Sequence, residues 1–332
     1  MAQSLCEQRS AERMKGWAVA AALLALGSAV VGIGLATRSA TSHEGLAATL
    51  EPAPRASAPS AVPAAPSAAA TPSAVAAAPS AASVSLESLP TLPRFKKTAT
   101  YNGAPVYVPE GCQGRYDVIL HFHGAHPYVR DLVEKAGIHA VVAVLNAGNG
   151  AERYAQAYRA TGALSSLLRQ VEMAAAPWCA GQAEPGRVAL TAWSAGYGGI
   201  EKLLARPEDR ERVDAVLLAD GLHAGFTDRW KRTFAPNALE AFRQFGALAK
   251  ADHKLFAITH SSIETDGYAS TTECSELLLK ALSIQPEGPF TSGKSGHFSV
   301  EGSTGSDAPA HIAQFRQMDA TLLSKLHMRW LD

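Results

Sequence analysis

The sequence predicts an α/β fold built on a mostly parallel sheet, on three observations. Short uncharged apolar runs recur along the chain, among them VILHF, AVVAVL, VALT, AVLLA and LFAIT, and such runs fit strands covered on both faces. Between them lie segments with the period of an amphipathic helix, the alternation that a parallel βαβ order produces. One junction is tighter than the rest: Arg187 to Glu201, RVALTAWSAGYGGIE, passes from strand through a serine and small residues into a helix.

The beginning of the 332-residue chain stands outside this pattern. Residues 1–15 carry Arg9, Arg13 and Lys15 and form an expected cytoplasmic flank. Residues 16–36 contain no charge and are rich in Ala, Leu and Val. About 20 apolar residues span a bilayer, so this segment is expected to anchor the chain in an inner membrane, with the cationic flank inside and the remainder in the periplasm or outside the cell. The alternative is a cleaved signal peptide and a secreted product, for which Ala36 and Ala40 offer small residues but no clean A-x-A site. Residues 37–88 are dominated by Ala, Pro and Ser, a composition with too little apolar surface to offset the entropy of ordering, and read as a disordered linker. The folded domain is then 89–332, about 240 residues and enough for one large core. The 30 basic and 30 acidic residues balance, so no electrostatic footprint for nucleic acid is present.

Within the domain, strand-like Lys97–Tyr101 and Ala104–Val108 flank Asn102-Gly103, a hairpin turn signal. Tyr116–Phe122 is the first central strand and ends in His123-Gly124. A helix is expected to end at Val133–Gly137, a strand to cover His139–Leu145 and a helix Tyr154–Met173. The strand Val188–Thr191 leads to Ser194, and the helix after it includes Ile200–Leu204. Then follow strand Val213–Ala219 with Asp220-Gly221 after it, helix Leu239–Ala251, strand Lys254–Thr259, helix Glu273–Leu282, strand Gly296–Val300 and helix Ile312–Leu331.

The strand–serine–helix junction has the layout of a nucleophile elbow, where a sharp turn holds a hydroxyl at the carboxyl end of a sheet. Positions two before and two after the serine must be small; Gly196 fits, and Ala192 replaces the first glycine of G-x-S-x-G. With HFHG after the first central strand, AWSAG at the elbow, and acid and histidine candidates following in that order, the domain resembles the α/β-hydrolases, as a membrane-tethered or secreted bacterial member. The resemblance implies a mostly parallel sheet of about eight strands with helices on both faces. It implies serine-dependent attack on an ester or related acyl group, with no cofactor and no metal.

Ser194 is the expected nucleophile, needing an imidazole to take its proton and an acid to orient that imidazole. His311, placed by the resemblance in the loop between the last strand and last helix, is the expected base, with His297 the alternative. For the acid, Asp220 has the tighter local turn, while Glu264 or Asp266 follow the next strand, where most members of the resembled fold carry it. Gly124 and Ala195 are the expected oxyanion donors. The resemblance also makes the strands after Cys112 and Cys179 neighbours, so these cysteines are expected to form a disulfide in an exported domain.

Aromatic residues including Tyr154, Trp193, Tyr197, Trp230 and Tyr268 fall near the expected catalytic edge, and no apolar lid is evident, which favours an esterase on a small soluble or envelope-attached ester over a lipase. Two other classes compete: a catalytically silent binding protein of the cell envelope with the same fold, and a metal-dependent hydrolase using His121, His123 and His223.

Overall fold

The computed structural model describes residues 92–331. The expected cytoplasmic flank 1–15, the expected membrane segment 16–36 and the expected linker 37–88 therefore lie outside the described residues. Among the described residues no helix is long and apolar enough to cross a membrane.

Strands β1 (Phe95–Ala99) and β2 (Pro105–Pro109) form an antiparallel hairpin. Gly103 takes φ 79° in the turn between them, a conformation that an Asn-Gly pair supplies at little cost. Then come β3 (Gln113–Phe122), α1 (His126–Lys135), β4 (Ala140–Leu145), α2 (Ala151–Tyr158), α3 (Ala163–Ala175) and β5 (Ala180–Trp193). After the elbow follow α4 (Tyr197–Leu204), α5 (Pro207–Arg212), β6 (Ala215–Ala219), and a small hairpin of β7 (Phe226–Asp228) and β8 (Thr233–Phe234). The chain closes with α6 (Glu240–Lys250), β9 (Leu255–His260), α7 (Thr271–Ala281), β10 (Gly293–Ser295), β11 (Phe298–Gly302), α8 (Ala308–Arg316) and α9 (Ser324–Leu331).

The main sheet has nine strands in the order β1-β2-β4-β3-β5-β6-β9-β11-β10. The six from β4 to β11 in that order are parallel, and β1, β2 and β10 are antiparallel additions at the edges. The ninth strand exists because the expected last strand is the second arm of a hairpin around Gly296, whose φ of 55° turns the chain back.

Alternation along β3 shows how the sheet is covered. Val118, Leu120 and Phe122 enter one apolar cluster with Leu164 and Val171 of α3, Ile200 of α4 and Phe242 of α6. Ile119 enters the opposite cluster with Leu132 of α1, Phe315 of α8 and Leu326 of α9. Burial on both faces explains why the central strands read as continuous apolar runs.

Two expected helices are interrupted. The span Tyr154–Met173 divides because Gly162 stands in the left-handed region at φ 76°, where an α-helix cannot continue. The terminal span is divided by a π turn over Asp319–Leu323, which keeps Leu322 and Leu323 in the core together with Leu326.

The amino ends of the parallel strands are cross-linked. Cys112 and Cys179, directly before β3 and β5 respectively, form a disulfide with Cα atoms 4.6 Å apart. Asp117 pairs with Arg187 at 2.9 Å, and Asp214 accepts from Arg329 at 2.9 Å and from Trp330 Nε1 at 2.8 Å. Burial pushes the Asp214 carboxyl up, but the Arg329 and Trp330 hydrogen bonds hold it below its ordinary value. Cys274 is a buried free thiol.

Candidate active site

Strands β3, β5 and β6 are neighbours, and just past the carboxyl end of each stands a non-glycine residue in the left-handed region: His123 at φ 68°, Ser194 at φ 50° and Asp220 at φ 43°. Each such residue costs roughly 1–3 kcal/mol and persists only where the surroundings enforce it. The enforcement is visible at three glycines. A Cβ on Gly196 would lie 2.2 Å from the Phe122 carbonyl oxygen, one on Gly198 would lie 2.4 Å from that of Ala151, and one on Gly221 would lie 2.5 Å from that of Ser194. The turn after β6 is thus pressed against the serine's own backbone and the end of β3 against Gly196, two residues on, while Ala192 on the serine's other side is fully buried.

Asp220, next to Gly221, is buried. Its Oδ2 lies 2.9 Å from His311 Nδ1 and accepts a hydrogen bond from Ser261 Oγ at 2.5 Å. Burial alone pushes the Asp220 carboxyl up, but the hydrogen bond and charge of His311 and the Ser261 hydroxyl hold it below its ordinary value. A carboxylate can only accept, so His311 Nδ1 is the donor in this contact, and a neutral ring so held has its lone pair on Nε2. The His311 ring rests on Trp193, centroids 4.9 Å apart, and its carbonyl accepts from Trp193 Nε1 at 3.2 Å. Because Trp193 immediately precedes Ser194, the imidazole is carried by the residue next to the serine. Among the described residues Ser194 Oγ makes no hydrogen bond to His311, so the contact that a proton transfer needs is open in this state.

His311 lies within α8, not in a loop before it. Asp307 caps that helix by accepting from Ala310 N, with Pro309 in its first turn, so the helix begins at Ala308 and takes in the histidine. His297 stands between β10 and β11, at the amino end of the parallel strands and opposite the serine. Its Nδ1 is 3.1 Å from Arg329 Nη1 and 3.8 Å from Asp252 Oδ1. Glu264 and Asp266 line a cavity of about 430 Å³ beyond β9 together with Arg232, Ser262 and Thr272, whereas His311 Nδ1 is occupied by Asp220.

Gly124, the expected oxyanion donor, has its N–H already engaged in this structure. Its N–H donates to Asn146 Oδ1 at 3.0 Å and its carbonyl accepts from Asn146 Nδ2 at 2.9 Å. That reciprocal pair engages both the N–H and the carbonyl of the glycine. Ala195 follows the serine in the 3₁₀ turn Ser194–Gly196, where the first N–H groups of a helix lack internal partners.

The histidines weighed as metal ligands do not converge. His121 Nδ1 is 2.8 Å from Thr191 Oγ1, His123 Nδ1 is 2.8 Å from Tyr154 Oη, and His223 Nδ1 is 3.0 Å from the Ala269 carbonyl oxygen. Burial lowers the His121 pKa to about 3 and those of His123 and His223 to about 4, with the nearby His311 contributing to both of the latter. Among the described residues no group of three His, Cys, Asp or Glu side chains is arranged to hold an ion. Of the aromatic residues at this edge, Tyr154 and Trp193 flank His123, Tyr197 and Tyr268 flank His223, and Trp230 is exposed on the β7–β8 hairpin.

Strand order, the antiparallel second strand, helices on both faces and a serine at the turn after β5 decide the architecture. The fold is that of an α/β-hydrolase. No protein-family profile matches the chain, and none of the curated proteins does. Solved structures similar to it include a cold-adapted esterase from an Arctic intertidal metagenomic library, at 12% identity over 73% of this chain and 96% of that one, TM-score 0.41. Carboxyl esterase 2 of the mycorrhizal fungus Tuber melanosporum is similar at 14% identity over 74% and 89%, TM-score 0.38. An IroE-like serine hydrolase from Shewanella oneidensis is similar at 13% identity over 69% and 79%, TM-score 0.38.

Sequence reading missed Asn146 and Ser261. Asn146 was legible only as a stop after a strand, and Ser261 is one of two serines following His260; neither position carries a local signal of its distant partner.

Proposed function

We propose that the chain is a serine hydrolase acting on ester bonds of a small soluble or envelope-attached substrate, exported and held at the inner membrane by residues 16–36. The observation that carries this reading is the His311–Asp220 hydrogen bond of 2.9 Å, built on a turn whose Gly221 abuts the Ser194 backbone. In the reaction His311 Nε2 accepts the Ser194 proton as Oγ attacks the carbonyl carbon, giving a tetrahedral oxyanion. His311 then returns the proton to the leaving alkoxide, and water repeats the sequence on the acyl-enzyme. Asp220 keeps Nδ1 protonated and stabilises the imidazolium while it exists. With Gly124 engaged by Asn146, the oxyanion is met by Ala195 N–H and by Ala125 N–H, next along the loop and unbonded among the described residues.

The open contact between Ser194 and His311 favours a second reading, the same fold serving as a catalytically silent binding protein. Catalytic hydrogen bonds are often long in unliganded enzymes and tighten with substrate, so labelling decides between the two. A fluorophosphonate should label the wild-type chain and not Ser194→Ala, and His311→Ala should slow labelling by about 10²-fold or more. A folded wild-type chain that takes no label would leave the binding role.

A further inference from the structure

The acid of the proposed triad has two donors on one oxygen. Asp220 Oδ2 accepts from His311 Nδ1 at 2.9 Å and from Ser261 Oγ at 2.5 Å. Ser261 comes from a different part of the fold, directly after the last residue of β9, and is 1% exposed. Its carbonyl accepts from His260 Nδ1 at 2.8 Å and from Thr272 Oγ1 at 3.2 Å, and two residues earlier the Thr259 carbonyl accepts from Asp220 N at 2.7 Å. The hydroxyl therefore has a fixed aim, and the contact is buried, where a hydrogen bond is electrostatically stronger than in water.

We infer that Ser261 is a positioning residue of the Ser194 reaction, which sets how strongly Asp220 holds the His311 imidazolium. This inference rests on the serine-hydrolase reading above. Its physical basis is that a donor to a carboxylate stabilises the charged form and makes it a weaker partner for any other donor. Because both donors meet the same oxygen, the charge that Ser261 neutralises is charge that His311 no longer sees. Removing the hydroxyl leaves a more basic Asp220, a more stable imidazolium and a base that is free to take the serine proton only at higher pH.

The other titratable groups facing this pair stay in place in every variant. They are His123 from the loop after β3, His223 from the loop after β6, Tyr268 from the segment before α7, and His260 at the end of β9, whose Nδ1 meets the Ser261 carbonyl.

The test uses the full-length chain in detergent micelles and the rate of fluorophosphonate labelling of Ser194 as a function of pH. For Ser261→Ala the midpoint of the rate profile is expected to move up by about one pH unit, with labelling near neutral pH about tenfold slower than wild type. Ser261→Thr, which keeps the hydroxyl, should return the profile to that of wild type. Should Ser261→Ala fail to fold, Ser261→Cys, close in size and a weak donor, carries the same expectation. A Ser261→Ala profile that superimposes on wild type overturns the inference, as does an equal displacement of the Ala and Thr variants, which would mark a packing effect. Titration of His311 by NMR in wild type and Ser261→Ala separates this inference from the one it rests on. An upward shift of His311 in a chain that takes no label would support the coupling while removing the serine chemistry, and an unmoved His311 would overturn the coupling whatever the labelling shows.

Discussion

The two ends of the parallel sheet are built on opposite principles. At the amino ends, the Cys112–Cys179 disulfide, the Asp117–Arg187 pair and the Asp214–Arg329–Trp330 group tie strands and terminal helix together. At the carboxyl ends, three adjacent strands finish in the left-handed region, and Gly196 and Gly221 admit backbone contacts that no side chain would allow. One end supplies stability, and the other spends conformational energy to hold a hydroxyl, an imidazole and a carboxylate near one another. The difference predicts that substitutions at the carboxyl ends change reactivity more than stability, and that those at the amino ends do the reverse.

The largest expected effect is on reactivity alone. Asp220→Asn keeps the size of the side chain but no longer fixes the proton on His311 Nδ1, and labelling of Ser194 should slow by about 10²- to 10⁴-fold with a melting temperature close to that of wild type. Unchanged labelling would remove Asp220 from the site.

At the other end, Cys112→Ser with Cys179→Ser should cost about 2–5 kcal/mol in denaturant unfolding and leave the labelling rate of the folded chain unaltered. A labelling defect at full folding would break the division between the ends.

Gly221→Ala probes the boundary between stability and reactivity, since its Cβ would fall 2.5 Å from the Ser194 carbonyl oxygen. We expect a loss of about 2 kcal/mol, within the range for strained backbone substitutions, together with slower labelling. Equal labelling would mean that the elbow yields without moving Ser194.

Acid sharpens the same comparison. His121, His123 and His223 have folded pKa values of about 3, 4 and 4 against 6.5 when unperturbed. The unfolded chain therefore takes up protons first, and the stability from keeping these rings neutral is lost as the pH falls from 6.5 towards 4. Asp214 and Asp220 are depressed instead; their contribution is present above the ordinary aspartate value and is lost only at lower pH, as it falls through the folded values. A urea midpoint that stays flat between about pH 7 and pH 5 would contradict the histidine contribution. The smallest effect is expected for His297→Ala, which should leave labelling unchanged; a large loss there would return His297 to the site.

Much of this fold was legible because burial on both faces writes itself into composition. Val141, Val142, Ala143 and Val144 of β4 and Val216, Leu217 and Leu218 of β6 are all completely buried, and nothing but an apolar run satisfies that environment. The elbow was legible for a steric reason: two backbones passing within contact distance leave room only for small residues at Ala192, Gly196 and Gly198. The helix breaks at Gly162 and at Asp319–Leu323 were not legible, because the apolar period continues across both.

Within the candidate site, sequence alone singled out Ser194, since its constraint is local to one turn. It put Asp220 ahead of Glu264 and Asp266 for the acid and His311 ahead of His297 for the base, without choosing which pair meets. That choice belonged to the tertiary structure, because it depends on which strand end stands beside which helix across about 90 intervening residues, as in the Asp220–His311 hydrogen bond. The engagement of Gly124 by Asn146 and of Asp220 by Ser261 was decided there too. A hydrogen bond between distant segments leaves no periodicity or spacing in the chain, and only the packed sheet brings its two halves together.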